Sequence, residues 1–130
     1  MYQFSRAIFR ELRPYLATEE AQAAVLEASE DMVERLAFGT APRRPARELF
    51  RNVRVYVGLE SQLRVRLVID RYVGLAQTVC EDRRRRGLDA FGRPLPCAAT
   101  TRHGTQCARR PVDGTAYCPS HRHLGQVLVA

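Results

Sequence analysis

The sequence predicts a mainly α-helical fold, in which a small helical bundle is followed by a compact loop/β module. Three observations lead to this prediction. Over about the first two-thirds of the 130 residues, apolar side chains recur at the spacing of amphipathic helices. After residue 86 the chain becomes rich in glycine and proline and loses that spacing. Three of the four cysteines then follow residue 96.

These changes divide the chain into four predicted segments. A helical domain covers 1–86, a linker covers 87–96, the compact module covers 97–123 and a tail covers 124–130. The four arginines at 83–86 are expected at the C-terminal end of the last helix, where positive charge interacts favourably with the helix dipole.

The first two predicted helices are separated by a proline. The first runs from about Tyr2 to Arg13, since Pro14 disfavours helix at the residue before it. The second begins after Thr18, a good N-cap, and Gly39 is placed to end it. Its apolar stripe contains Ala21, Val25, Ala28, Met32 and Leu36.

Two further helices are predicted after a proline-rich connector. They cover 46–57 and, approximately, 61–85. A β-hairpin over Val53–Ile69 is the alternative, because β-branched residues alternate there with arginines around Gly58. Helices are preferred, since the flanking residues continue in helical spacing without a cluster of turn residues.

Charge is divided unevenly along the chain. Residues 1–38 carry four arginines against seven acidic residues, a net charge of −3, whereas 39–130 carry 17 against seven, a net charge of +10. The strongly basic C-terminal part, 39–130, indicates a polyanion or an acidic protein surface as its partner. The acidic N-terminal part could instead pack on the basic C-terminal part of a second copy, giving a homodimer. A solvated arginine-rich surface is the remaining alternative.

The sequence also predicts a soluble protein. No apolar run approaches the roughly 18–20 residues that span a bilayer. The first residues lack the layout of a secretory signal. We therefore expect a cytoplasmic protein that does not bind membranes, nucleoid-associated if it binds DNA.

Three cysteines and a histidine have the composition of a structural zinc site. Nine residues separate Cys97 from Cys107, ten separate Cys107 from Cys118, and two separate Cys118 from His121. Three thiolates and one imidazole match tetrahedral zinc, and four protein ligands leave no open position for catalysis. Residues 97–123 carry too few apolar side chains to form a core, so a metal cross-link must replace it. The predicted module is therefore a zinc-stabilised one, holding a single Zn²⁺.

Two alternatives concern the same cluster. His103 or His123 could replace His121 as the fourth ligand. Free thiols or a disulfide would leave the histidine beside Cys118 unexplained, and an intracellular setting disfavours a disulfide.

Residues 97–121 resemble a known kind of zinc module. Cys97, the turn Thr101-Arg102-His103-Gly104, Cys107-Ala108-Arg109-Arg110 and the closing Tyr117-Cys118-Pro119-Ser120-His121 carry the resemblance. Such Cys-Cys-Cys-His modules occur in bacterial and phage proteins of unassigned function. They are similar to the proposed DNA-binding zinc domains of eukaryotic chromatin-complex subunits. The resemblance implies metal binding and suggests contact with DNA.

Arginines around the predicted zinc site are the candidate nucleic-acid contacts. Phosphate binding by such a cluster would depend strongly on salt. No helix with a polar face suited to reading bases is visible after residue 97. The candidates are Arg83, Arg84, Arg85, Arg86, Arg102, Arg109, Arg110 and Arg122.

The sequence thus predicts a non-enzymatic, zinc-containing accessory or regulatory protein that binds nucleic acid, with DNA preferred over RNA. The alternative is an adaptor that docks on an acidic partner, such as the transcription machinery. An enzyme is disfavoured, because Cys80 lies on the apolar side of its helix and no phosphate-binding glycine loop or HExxH motif is present.

Overall fold

The computed structural model describes residues 1–126, and it is mainly helical. Contacts divide the chain into a first unit, Met1–Cys80, and a second unit that begins at Glu81. Most of the predicted tail, 127–130, lies outside the described residues.

The first two helices form as the sequence predicts. Helix α1 covers Tyr2–Leu12 and helix α2 covers Glu19–Phe38. The Thr18 hydroxyl accepts a hydrogen bond of 3.0 Å from the backbone N–H of Ala21, which satisfies one of the unpaired donors at the start of α2. Gly39 ends α2 in the left-handed conformation, at φ 72°, which glycine adopts without steric cost.

The preferred helical interpretation of the next segment is confirmed, although the third helix ends at Val53 and not at residue 57. Helix α3 covers Pro45–Val53 and helix α4 covers Gln62–Arg85, with two short 3₁₀ turns between them. Val57, between the two 3₁₀ turns, has extended backbone angles. No strand pairing occurs over 53–69.

The first unit has an apolar core that requires no cross-link. Helix α1 packs on α2, and α2 packs on α3. Buried side chains recur along each helix at the predicted spacing, and the buried Ser29 hydroxyl is satisfied by the Val25 carbonyl at 2.7 Å. The fully buried side chains include Ile8, Leu12, Val25, Leu49, Val53, Val65, Ile69 and Val73.

The second unit consists mainly of turns after α4 ends. No β-strand forms within residues 1–126, so the β part of the predicted module is wrong for the described chain. Two isolated antiparallel bridges, Leu88–Pro94 and Thr100–Gln106, are the only traces of it in these residues. Both loops reverse within a few residues of their bridge, at Gly92 and Gly104, whose φ values are positive, so neither bridge lies in a regular ladder. A short helix α5, Arg122–Gln126, follows the last turn.

The segment predicted as a linker, 87–96, is folded into a turn. Asp89 accepts hydrogen bonds from the backbone N–H groups of Arg93 at 2.8 Å and Phe91 at 2.9 Å. These bonds, with the Arg93 guanidinium, hold the pKa of the Asp89 carboxyl below its usual value. Because this pKa is lowered on folding, the stabilisation is present at neutral pH and is lost as the pH falls through the acidic range.

Candidate metal centre

A loop closed by backbone hydrogen bonds positions the first two cysteines. The Cys97 N–H donates to the Arg109 carbonyl at 2.9 Å, and the Cys107 N–H donates to the Ala99 carbonyl at 2.8 Å. The tip of the loop turns at Gly104, whose φ of 78° requires glycine. Cys97 and Cys107 therefore face each other from the two arms of one loop.

A second loop supplies the other two residues of the cluster. It closes where the Val112 N–H donates to the Tyr117 carbonyl at 2.9 Å, and it turns at Gly114 with φ 79°. Cys118 follows directly. A 3₁₀ turn, Pro119–His121, then places the imidazole beside the Cys118 sulfur. This turn explains the two-residue spacing between Cys118 and His121.

The four side chains converge on one point. One ligand atom from each of Cys97, Cys107, Cys118 and His121 lies within 4.8 Å of all the others. The Cys107 and Cys118 sulfurs are 4.0 Å apart, and His121 Nδ1 lies 3.6 Å from Cys97 Sγ and 3.2 Å from Cys118 Sγ. Tetrahedral zinc bonds would set about 3.8 Å between sulfurs and about 3.6 Å between sulfur and nitrogen. These residues could together hold one metal ion, with His121 binding through Nδ1.

The cluster is also the apolar core of this unit. The three cysteines and Ala99 are its buried members, with Tyr117 packed against them. No cysteine among them is in a disulfide. Three of the four buried residues are thus candidate ligands, so little burial energy remains to hold the loops without a cross-link.

The surroundings of two cysteines shift their thiols in opposite directions. Burial acts to raise the pKa of Cys97, but the backbone N–H groups of Cys118 and Ala99, with the His121 side chain, lower it to about 6. The Arg109 N–H acts to lower the pKa of Cys107, yet burial and the neighbouring sulfurs outweigh it and raise that pKa. The cluster therefore contains one thiol that ionises more readily than an ordinary cysteine and one that ionises less readily.

The other candidate ligands lie apart from this cluster. His103 is exposed at the tip of the first loop, and His123 is exposed in α5. Neither belongs to the convergent group. Cys80 lies in the first unit, half-buried, with its sulfur 3.9 Å from the Met1 sulfur. The structure therefore brings His121, rather than either alternative, to the three cysteines.

Four of the candidate arginines line one cleft in the second unit. Arg84, Arg85 and Arg86, at the end of α4, and Arg110, after the first loop, border a cleft of about 640 Å³. Asp113 is also at its border. Arg86 pairs with Asp82 at 3.2 Å, which leaves the others as the main sources of positive charge. We name this feature the arginine cleft.

The remaining candidate arginines are not at this cleft. Arg83 donates to the Ala90 carbonyl, and Arg109 donates to the Ser120 hydroxyl at 2.9 Å. Both therefore hold loops of the second unit together. Arg102 and Arg122 are exposed elsewhere on it.

Sequence reasoning missed the apolar wall of the arginine cleft. Pro94, Pro96 and Pro111 line it together with Leu88, Leu95 and Val112. Pro94 and Pro96 were visible in the sequence, but they indicated only a linker. Nothing in their spacing showed that they would line the same cleft as Arg110.

No known protein family, curated protein or solved structure matches the chain. The resemblance of residues 97–121 to zinc modules therefore stands on the pattern of cysteines, histidine and glycines. In the described part of the chain, no helix has the length and apolar character required to cross a membrane.

Proposed function

We propose that this chain is a non-enzymatic zinc protein that binds nucleic acid through the arginine cleft. The convergence of Cys97, Cys107, Cys118 and His121 carries the zinc part of the proposal. Three soft sulfur donors and one imidazole suit Zn²⁺ better than Mg²⁺ or Ca²⁺, which prefer oxygen. Four protein ligands complete a tetrahedron, so the ion would hold the loops and would not bind a substrate.

The arginine cleft supports the nucleic-acid part. Arg84, Arg85 and Arg110 would offer guanidinium groups to phosphate oxygens. A guanidinium group can bind a phosphate through two parallel N–H···O hydrogen bonds. The cleft lies in the unit that the metal would hold, so its loops would be fixed before binding. Fixed cations lose less conformational entropy on contact with a phosphate. DNA is the preferred partner, read through its backbone and not its bases.

We expect duplex DNA binding to weaken steeply with salt. If about three phosphates are contacted, affinity falls about 40-fold between 50 and 200 mM salt, because each contact releases condensed counterions. Fluorescence anisotropy with a labelled duplex measures this slope, and a single-stranded RNA of equal length tests the preference for DNA. Absence of binding at low salt contradicts the proposal.

The apolar wall favours a second candidate, an acidic protein surface. Leu88, Pro94 and Val112 could accept the aliphatic side chains of an acidic peptide beside the arginines. Capture from a lysate, with and without nuclease, distinguishes the two. Partners lost on nuclease treatment support nucleic acid, and partners that resist it support the protein surface.

A further inference from the structure

A second basic cavity, of about 520 Å³, lies within the first unit. The connector before α3 and the first turn of that helix form one wall, which carries Arg43, Arg44 and Arg47. Helix α4 forms the other wall, which carries Arg66 and Asp70. We name this feature the four-arginine cavity.

Most of the positive charge in this cavity is not neutralised by the protein. Four arginines against the single carboxylate of Asp70 leave the lining residues with a net charge of +3. Arg66 contacts Asp70 at 3.8 Å through Nε, so its two terminal nitrogens are not part of that contact. Within the described residues, no acidic side chain forms an ion pair with the three arginines of the other wall. Like charges held close together repel, so an anion between them would be stabilised.

The start of α3 adds backbone donors to the same cavity. The N–H groups of Ala46 and Arg47 lie in its first turn, where no carbonyl of the helix accepts them. Arg44, the N-cap residue, has no acceptor in its side chain and makes no capping hydrogen bond. Glu48, the acidic residue of this turn, contacts Arg35 at 3.9 Å and does not line the cavity. The backbone therefore also favours an anion here.

Both walls hold their arginines with limited freedom. Pro42 and the buried Pro45 flank the two arginines of the connector. Each proline fixes its own φ and restricts the residue before it. On the other wall, the Arg66 guanidinium lies over the Phe50 ring, 5.7 Å from its centroid. Cations restricted in this way lose less conformational entropy when they bind an anion.

We infer that the four-arginine cavity binds the diphosphate group of a small anion. Its volume is within the range of small-molecule sites, about 300–1,000 Å³. Two phosphoryl groups carry roughly three negative charges near neutral pH, which match the net charge of the lining. Asp70 disfavours a longer polyanion such as a DNA backbone, because it places a carboxylate one helical turn from Arg66. The cavity lies entirely in the first unit, so the inference depends neither on the metal nor on the arginine cleft.

Inorganic diphosphate and a nucleoside diphosphate both supply this group. Arg66, Asp70 and Gln77 lie on one face of α4, with Gln77 about 16 Å along the helix from Arg66. The Asp70 carboxylate and the Gln77 amide suit the hydroxyls of a sugar. Weaker binding of the nucleoside diphosphate alone in Asp70→Asn identifies the nucleotide as ligand. Unchanged or tighter binding of both identifies inorganic diphosphate.

Calorimetric titration of the full chain with inorganic diphosphate tests the inference. We expect it to bind at least about 10-fold tighter than inorganic phosphate, because the second phosphoryl group adds charge-assisted hydrogen bonds. Arg43→Ala plus Arg47→Ala should weaken diphosphate binding at least about 10-fold, since it removes two of those donors. The same variant should keep its DNA binding.

Two control variants locate the binding. Arg6→Ala plus Arg51→Ala removes two exposed arginines of the first unit that do not line the cavity, so diphosphate affinity should be kept. Arg84→Ala plus Arg110→Ala changes the arginine cleft and should also keep diphosphate affinity. Circular dichroism confirms that each variant keeps its helices.

Three results would overturn the inference. They are a wild type that does not bind diphosphate, binding that Arg43→Ala plus Arg47→Ala leaves unchanged, and an equal loss in the arginine-cleft variant. If the chain does not bind diphosphate but loses DNA affinity in Arg43→Ala plus Arg47→Ala, the cavity is a nucleic-acid contact instead.

Discussion

Removal of the metal, or replacement of Cys107 by serine, is expected to unfold the second unit and leave the first unit folded. Cys107 is a buried candidate ligand, and the cysteine cluster is also the apolar core of its unit. Metal binding in zinc-finger peptides supplies about 10–16 kcal/mol of apparent free energy. Because the apolar core of this unit is so small, its loops have no comparable source of stability without the metal. Helices α1 to α3 lie in a unit with its own core and should keep their circular dichroism.

Limited proteolysis followed by mass spectrometry measures this directly. After chelation, or in Cys107→Ser, cleavage should appear throughout 97–121 while fragments that end near residue 80 persist. Cys80→Ser is the matched control, because it makes the same substitution at a half-buried thiol outside the cluster. A cleavage pattern unchanged by chelation would show that the loops fold without metal.

Loss of Arg84 and Arg110 together is expected to abolish most DNA binding. The two side chains approach the arginine cleft from different segments, so each would contact phosphate independently. Arg84→Ala plus Arg110→Ala should lower the affinity at least about 10-fold and reduce the magnitude of the salt slope by about two, one for each lost contact. Arg109 is unsuitable for this test, because its bond to Ser120 makes it part of the loop structure.

A charge-matched control separates the cleft from general attraction. Arg6→Ala plus Arg51→Ala removes two exposed arginines from α1 and α3 in the first unit. This variant should keep nearly all of the affinity. Equal losses in the two double variants would mean that net charge, and not the cleft, attracts the DNA.

Helix positions followed directly from local rules. Thr18 and Gly39 marked the ends of α2, and apolar spacing marked the buried faces, because capping and amphipathic packing act over a few residues. The ligand pattern was equally local at Cys118 and His121, where one 3₁₀ turn joins the pair. The grouping of Cys118 and His121 with Cys97 and Cys107 in one site was predicted because three thiolates and one imidazole are the ligands that tetrahedral zinc prefers.

Features that depend on tertiary contacts could not be predicted in the same way. The bridge at Thr100–Gln106 stays isolated, although the module was predicted with β-structure. The roles of Arg83 and Arg109 in holding loops depend on where Ala90 and Ser120 come to lie. The exposure of Leu63 and Leu67 on α4 could not be predicted either, because a four-residue spacing of leucines is also typical of a buried helix face.

In the second unit, a metal ion is proposed to take the place of an apolar core. Elemental analysis of the purified full chain, with the protein concentration from amino-acid analysis, tests it most directly. We predict one zinc ion per chain in the wild type and in Cys80→Ser, and a sharp loss in Cys107→Ser. A folded wild-type protein with no stoichiometric metal would contradict the account.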